Sequence, residues 1–210
     1  MPELILASHS AGKLQELTQL LADLPCRLVP QQSVGIDAVQ ETGLTFIENA
    51  ILKARHACAL SGRAALADDS GLIVDALNGA PGLYSARYAG LEANDAANMS
   101  KLLRALDGVA PPQRSARLYS VIVVLRHAND PQPIVAQGQW EGFVATEPRG
   151  DYRFGYNPLF FDPELGMTIA QMNETTRNQR SHRSRALAQL RPQLLTLCAT
   201  LNAGSHQPAI

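Results

Sequence analysis

Cysteine is scarce in this sequence, and the three cysteines are odd in number and widely spaced. Cys26, Cys58 and Cys198 form no Cys-x-x-Cys pair and no spacing with histidine that would suit a zinc site. The five histidines are equally scattered. We therefore expect reduced, structural thiols rather than a disulfide framework or a zinc centre.

An excess of charge of one sign is also missing, and so is any long apolar run. Eighteen basic and nineteen acidic residues give a net charge of -1, which disfavours a nucleic-acid-coating role. No apolar run approaches the roughly 20 residues that span a bilayer. Without a cationic leader and cleavage site, we expect a cytoplasmic protein with no nucleic-acid or membrane partner.

Chain length favours one compact unit with a substantial core. The sequence has 210 residues, which suits one large domain or two small ones packed together. We expect a single domain over residues 1–201, followed by a frayed tail over 202–210.

The most distinctive segment carries two adjacent acids, and it reads Ala67-Asp68-Asp69-Ser70-Gly71. The apolar residues before it predict a strand that ends where the acids begin. Carboxylates at the end of a strand can hold a divalent cation and take a proton from water. An Asx-type turn explains the same residues by local hydrogen bonds, so the segment alone leaves both interpretations open.

A strand, a polar loop and a helix are predicted at the start of the chain. The apolar run from Leu4 to Ala7 precedes the loop from Ser8 to Lys13, and an amphipathic stretch follows. Such a loop brings hydroxyls, a lysine and backbone N–H groups to a helix N-terminus, which suits phosphate. It is not a Walker A loop, because Leu14 follows the lysine. A simple N-cap role for Ser10 is the alternative.

A second helix is predicted to begin at Thr45, where Thr45 and Glu48 match a capping box. Lys53 lies on the polar face of this helix and is a candidate for stabilising phosphate charge, with an exposed helical lysine as the alternative. For Glu48, the cap explains the residue fully, and a role in the site is the alternative. Glu41 lies in the polar loop before the helix.

Aromatic and basic residues gather in the last third of the chain. Phe154 and Tyr156 offer faces on which a planar base could stack, and Asn157 offers both a donor and an acceptor. Ordinary core packing is the alternative for the two aromatic residues. A basic cluster points to a local anionic ligand or to solvated side chains, and it consists of Arg177, Arg180, His182, Arg183 and Arg185.

Together these features describe a site for a nucleoside triphosphate, and the sequence resembles the inosine triphosphate pyrophosphatase family, also called the dITP/XTP pyrophosphatases. The resemblance extends from the first strand to about Leu201. It is carried by the segments 41–50, 67–71, 79–87, 154–156 and 181–183.

The resemblance implies an α/β fold with an elongated mixed central sheet flanked by helices, two lobes and a nucleotide cleft between them. It also implies a homodimer. The implied reaction is the Mg2+-dependent hydrolysis of ITP, dITP and XTP to the nucleoside monophosphate and pyrophosphate. The purine nucleoside triphosphate would be the substrate.

The resemblance also implies roles for individual residues. Asp69 matches the general base and a metal ligand, and Glu41 matches a second metal ligand. Substrate-binding positions on the phosphate side are Ser8, His9, Ser10, Ala11, Gly12, Lys13, Lys53 and Ser70. Substrate-binding positions on the base side are Phe154, Gly155, Tyr156, Asn157, Arg177, His182 and Arg183.

Three residues depart from the family pattern, which usually has Asn at Ser10, Asp at Asn157 and Lys at Arg177. Asn157 matters most, because an amide can donate to a base edge where a carboxylate can only accept. For Asp68, organising the turn and touching the metal both remain open. Two alternative functions are a pyrophosphatase like the septum-formation-inhibitor family and a non-catalytic nucleotide sensor.

Overall fold

The computed structural model describes residues 1–204, and these form a mixed α/β fold around a seven-stranded sheet. The strands are β1 (Glu3–Leu6), β2 (Arg27–Pro30), β3 (Ala65–Val74), β4 (Ser115–Leu125), β5 (Ile134–Val144), β6 (Phe160–Asp162) and β7 (Met167–Thr168). Their order in the sheet is β2-β1-β3-β4-β5-β6-β7. β1 pairs in parallel with β2 and β3, whereas β6 pairs antiparallel with β5 and β7. The predicted fold class is confirmed.

The described residues contain five α-helices, and side-chain caps begin four of them. They are α1 (Ala11–Leu20), α2 (Phe46–Ser61), α3 (Asp95–Ala105), α4 (Glu174–Arg180) and α5 (His182–Gly204). The side chains of Ser10, Thr45, Asn94 and Asn173 each accept a backbone N–H at the start of the helix that follows. No helix within residues 1–204 is long and apolar enough to cross a membrane.

The acid pair lies inside a strand, so the prediction that the strand ends at Ala67 is wrong. β3 continues from Ala65 to Val74 and includes both acids and Gly71. Buried Asp residues are rare within strands because a charge must be paired away from water. The strand continues through them because each carboxylate has a lysine as its cationic partner.

β5 is a single strand along which polar residues recur. Burial alternates along it: Ala136, Trp140 and Val144 are buried, while Gln137 and Glu141 are exposed. Polar residues at every second position are what a strand with one solvated face requires.

The described chain divides into two compact units, each with its own core. Unit 1 comprises Met1–Asp69, Val121–Gly138 and the chain from Arg183 onward, and unit 2 comprises Ser70–Ser120 and Gln139–His182. Leucines of β1, α1 and α5 form the core of unit 1. The core of unit 2 is built around residues such as Trp140 and Phe160, whose rings pack edge to face. The single two-lobed domain over 1–201 and its nucleotide cleft stay predictions.

The last helix extends past the predicted end of the domain. α5 continues to Gly204, because Leu201 packs against the core of unit 1 and holds the final turns in place. The rest of the predicted frayed tail, residues 205–210, lies outside the described residues.

The three cysteines are buried free thiols. Burial, together with a hydrogen bond between the thiols of Cys26 and Cys198, raises the pKa of Cys26 to about 12. Burial raises the pKa of Cys58 to about 11. Since the thiolate is the reactive species, both residues should be inert in the folded protein.

We expect alkylation of Cys26 and Cys58 by iodoacetamide at pH 8 to be at least about 100-fold slower in the folded protein than after unfolding in urea. Burial removes both access and thiolate, and unfolding restores both. Quenched time points analysed by peptide mass spectrometry give the rate at each cysteine. Equal rates for folded and unfolded protein would contradict the structural role.

Candidate active site

Two adjacent carboxylates are buried in β3, and each has its own lysine. Asp68 is 1% exposed and Asp69 is 6% exposed. Lys13 Nζ lies 2.9 Å from Asp68 Oδ2, and Lys53 Nζ lies 2.7 Å from Asp69 Oδ1. Successive side chains of a strand point to opposite faces. The carboxylates of Asp68 and Asp69 therefore form ion pairs with different lysines.

Lys53 joins the two residues predicted to bind metal. Its Nζ donates to Asp69 Oδ1 at 2.7 Å, to Glu41 Oε1 at 2.9 Å and to the backbone oxygen of Asp68 at 2.9 Å. The side chain is only 14% exposed, so the alternative of an ordinary exposed helical lysine is wrong. We call Glu41, Lys53 and Asp69 the acid–lysine cluster.

Burial and charge act against each other within the acid–lysine cluster. Burial lowers the pKa of Lys53, but Asp69 and Glu41 more than offset this, and the pKa lies above its ordinary value. Burial raises the pKa of Asp69, and the opposing effects of Lys53 and Lys13 leave it above that of a free aspartate. The carboxylate of Asp69 is therefore a stronger base than an exposed aspartate.

The order of strand, loop and helix is as predicted, but α1 begins at Ala11, so the loop is shorter than the predicted segment from Ser8 to Lys13. Ser10 is the N-cap of α1, and the hydroxyl of Ser8 accepts the backbone N–H of Ser10 at 3.2 Å. His9 Nδ1 lies 2.6 Å from Nε2 of Gln31. Ala11, Gly12 and Lys13 occupy the first turn of α1, where backbone N–H groups lack intrahelical acceptors and suit an anion.

A second charge network includes a residue that the sequence did not reveal. Arg183 is 5% exposed, and its Nη1 donates to Glu16 Oε2 at 2.6 Å while its Nε lies 3.4 Å from Asp68 Oδ2. Burial lowers the pKa of Arg183, but these two carboxylates raise it above its ordinary value. The sequence feature that could have indicated Glu16 is its position on α1, three residues after Lys13. Residues at this spacing lie on one face of a helix.

The predicted base-side residues of unit 2 have different surroundings. Tyr156 is 7% exposed within the core of unit 2, and its hydroxyl donates to the backbone oxygen of Ser85 at 2.8 Å. This favours the packing alternative for Tyr156. Phe154 and Asn157 are half-buried. The N–H of Gly155, whose φ is 56°, donates to Asp95 Oδ2 at 2.7 Å.

The residues of the basic cluster are not equivalent. The guanidinium of Arg177 stacks 3.8 Å from the centre of the Tyr152 ring, and its Nη1 donates to the backbone oxygen of Met172 at 2.5 Å. Arg180 instead pairs with Asp162 at 3.0 Å, so its charge is already used within unit 2. His182 is buried at the start of α5.

The site residues therefore fall into one group in each unit. The group in unit 1 contains Ser8, His9, Ser10, Ala11, Gly12, Lys13, Glu41, Lys53, Asp69 and Arg183. The group in unit 2 contains Ser70, Phe154, Gly155, Tyr156, Asn157, Arg177 and His182. Within residues 1–204, no group of three or more His, Cys, Asp and Glu side chains is arranged to hold a metal.

The fold and the unit 1 group define an α/β protein with paired carboxylates, lysines and a loop suited to phosphate. The Ham1 family model matches residues 4–193. A dITP/XTP pyrophosphatase of Xanthomonas oryzae pv. oryzae is 60% identical over 197 residues, which cover 94% of this chain and 99% of the relative. A dITP/XTP pyrophosphatase of Xylella fastidiosa strain 9a5c is 59% identical, and the match covers 95% of this chain and 100% of the relative.

Solved structures give the same result. A HAM1 protein from Coxiella burnetii has a TM-score of 0.86 and 46% identity, covering 93% of this chain and 100% of that one. The Staphylococcus aureus Ham1 protein has a TM-score of 0.80 and 38% identity, covering 91% and 97%. This chain belongs to the Ham1 family. The resemblance carried by the sequence segments is thereby confirmed.

We expect Lys53→Met to lower the free energy of unfolding by roughly 3 kcal/mol at pH 7 in EDTA-containing buffer, because the buried carboxylate of Asp69 and the half-buried carboxylate of Glu41 lose their shared cation. Urea denaturation followed by circular dichroism measures the loss.

The matched control is Lys101→Met, since Lys101 is exposed and donates to the backbone oxygen of Tyr88. Its loss should stay within about 1 kcal/mol. Equal losses in the two variants would argue against a special role for Lys53 in holding the acids.

Proposed function

We propose that this protein hydrolyses non-standard purine nucleoside triphosphates (ITP, dITP and XTP) to the nucleoside monophosphate and pyrophosphate. The observation that carries the proposal is the contact of one lysine, Lys53, with both Asp69 and Glu41. It gathers a base, a cation and a second acid next to a phosphate-type loop. Relatives named dITP/XTP pyrophosphatase support the choice of substrate.

The donor set also fits a divalent cation. Glu41 and Asp69 already share one cationic partner, and carboxylate oxygens are the ligands that Mg2+ prefers, often only one or two of them with phosphate oxygens completing the sphere. We propose that these two residues hold Mg2+. When bound, the ion would neutralise part of the triphosphate charge.

Asp69 is the proposed general base. It takes a proton from the water that attacks the α-phosphorus, and its raised pKa makes it better suited to this than an exposed aspartate. The bond between the α-phosphorus and the bridging oxygen breaks, and pyrophosphate leaves. Lys13 and Lys53 stabilise the charge on the leaving group.

The remaining predicted residues bind the nucleotide. On the phosphate side, the proposed contacts are Ser8, His9, Ser10, Ala11, Gly12 and Ser70. On the base side they are Phe154, Gly155, Asn157, Arg177, His182 and Arg183, and Tyr156 would contribute from its packed position in the core of unit 2. We further propose that the protein acts in the cytoplasm as a homodimer.

Family membership bears on one alternative function, and a single assay tests the other. A pyrophosphatase like the septum-formation-inhibitor family is not favoured, since the Ham1 family model matches residues 4–193. A non-catalytic nucleotide sensor would bind ITP without releasing pyrophosphate. Pyrophosphate release from ITP in the presence of Mg2+ distinguishes an enzyme from a sensor.

We expect Asp69→Asn to lower kcat for ITP by roughly 1000-fold, because the amide has the shape of the carboxylate but cannot accept the proton. Coupled detection of pyrophosphate measures turnover, and calorimetry with a non-hydrolysable α,β-imido analogue measures binding, which should persist.

The exposed Asp75, which accepts a hydrogen bond from Ser115, supplies the control Asp75→Asn, with turnover near that of the wild type. Substantial turnover by Asp69→Asn would remove Asp69 as the base.

We expect Asn157→Asp to increase the preference for ITP over ATP by roughly tenfold in kcat/KM, because a carboxylate cannot donate to a base edge. Rates with ITP, XTP, GTP and ATP measure the preference.

Asn173→Asp is the matched control, since aspartate caps α4 as well as asparagine does. Unchanged selectivity in Asn157→Asp would show that position 157 does not discriminate between bases.

A further inference from the structure

Asp68 carries a fully buried charge that the proposed chemistry does not use. Its side chain has no exposed surface, and it belongs to neither the general base nor the metal ligands. A buried carboxylate is costly unless it is paired. Its partners therefore indicate what it does.

One oxygen of Asp68 contacts two cations from distant parts of the chain. Oδ2 lies 2.9 Å from Lys13 Nζ and 3.4 Å from Arg183 Nε. Lys13 lies in the first turn of α1, and Arg183 lies at the start of α5. The rigid strand β3 thus holds one carboxylate against the beginnings of two helices.

The two cations depend on Asp68 to different degrees. Arg183 has a second carboxylate partner, since Glu16 Oε2 lies 2.6 Å from its Nη1. Within the described residues 1–204, Lys13 forms its ion pair with Asp68. A flexible lysine stem carries substantial rotamer entropy, so removal of Asp68 should release Lys13 more than Arg183.

We propose that Asp68 is a positioning residue, which holds Lys13 and Arg183 in the orientation that the nucleotide requires without itself touching the substrate. The inference rests on the proposed function of those two cations. Side chains that are already ordered in the free protein lose less conformational entropy when the ligand binds. This assigns Asp68 a role different from both possibilities that the sequence left open, a turn or a metal ligand.

A double-mutant cycle with the full-length chain tests the role. We expect Asp68→Asn, which keeps the shape and removes the charge, to lower kcat/KM for ITP by about tenfold and to weaken binding of the α,β-imido analogue. In a Lys13→Met background the same change should cost at most about threefold, because the lysine that Asp68 positions is already absent.

Asp130→Asn is the matched control for loss of a buried, ion-paired aspartate in the same unit. Asp130 is 1% exposed and lies 2.6 Å from Nη2 of Arg126. This variant should lose stability while keeping kcat/KM near that of the wild type. A general effect of instability would instead lower kcat/KM in both aspartate variants.

Each outcome supports or overturns the proposal. Equal losses from Asp68→Asn in the two backgrounds, or no loss at all, would overturn the positioning role. If Asp68→Asn does not fold, Asp68→Glu replaces it in the same cycle, because glutamate keeps the charge and moves it by one methylene. Wild-type kinetics for Asp68→Glu would also overturn the positioning role. A wild-type protein that releases no pyrophosphate from ITP would overturn the proposed function itself.

Discussion

Two neighbouring carboxylates buried within a single strand are the constraint on which the rest of unit 1 depends. Removing a charge from water is costly unless a partner replaces the lost hydration. Because Asp68 and Asp69 alternate in direction along β3, each requires its own cation. Lys13 of α1 and Lys53 of α2 meet this need, and the starts of these helices are fixed by the caps of Ser10 and Thr45.

Such pairs add little net stability, since the attraction between the charges largely repays the cost of burying them. Their main effect is to fix the positions of the lysine side chains. In the proposed function, cations already fixed by carboxylates would meet the negative charges of a nucleoside triphosphate without further reorganisation. Burial keeps the pKa of Asp69 above that of an exposed aspartate, although the neighbouring lysines oppose this.

Features that depend on short stretches of sequence were predictable. The strand, loop and helix at the start of the chain, the capped start of α2 and the segments shared with the family all follow from local patterns. One element misled local reasoning, because the acids of β3 resemble a turn. Their cationic partners come from other parts of the chain, and no local pattern reveals them.

Tyr156 and Arg180 illustrate the same limit. An aromatic residue looks alike in sequence whether it stacks on a base or fills a core, and here Tyr156 packs within unit 2. Arg180 looks like an anion ligand, yet Asp162 already pairs with it.

The sequence by itself determined the fold class, the family and the residue types of the site, because these depend on periodicity, caps and short motifs. Tertiary structure alone decided that Lys53 joins Glu41 to Asp69, and that Asp68 lies between Lys13 and Arg183. Asp68 and Arg183 are 115 positions apart. Contacts at such separations are set by how strands and helices pack, and local sequence carries no record of them.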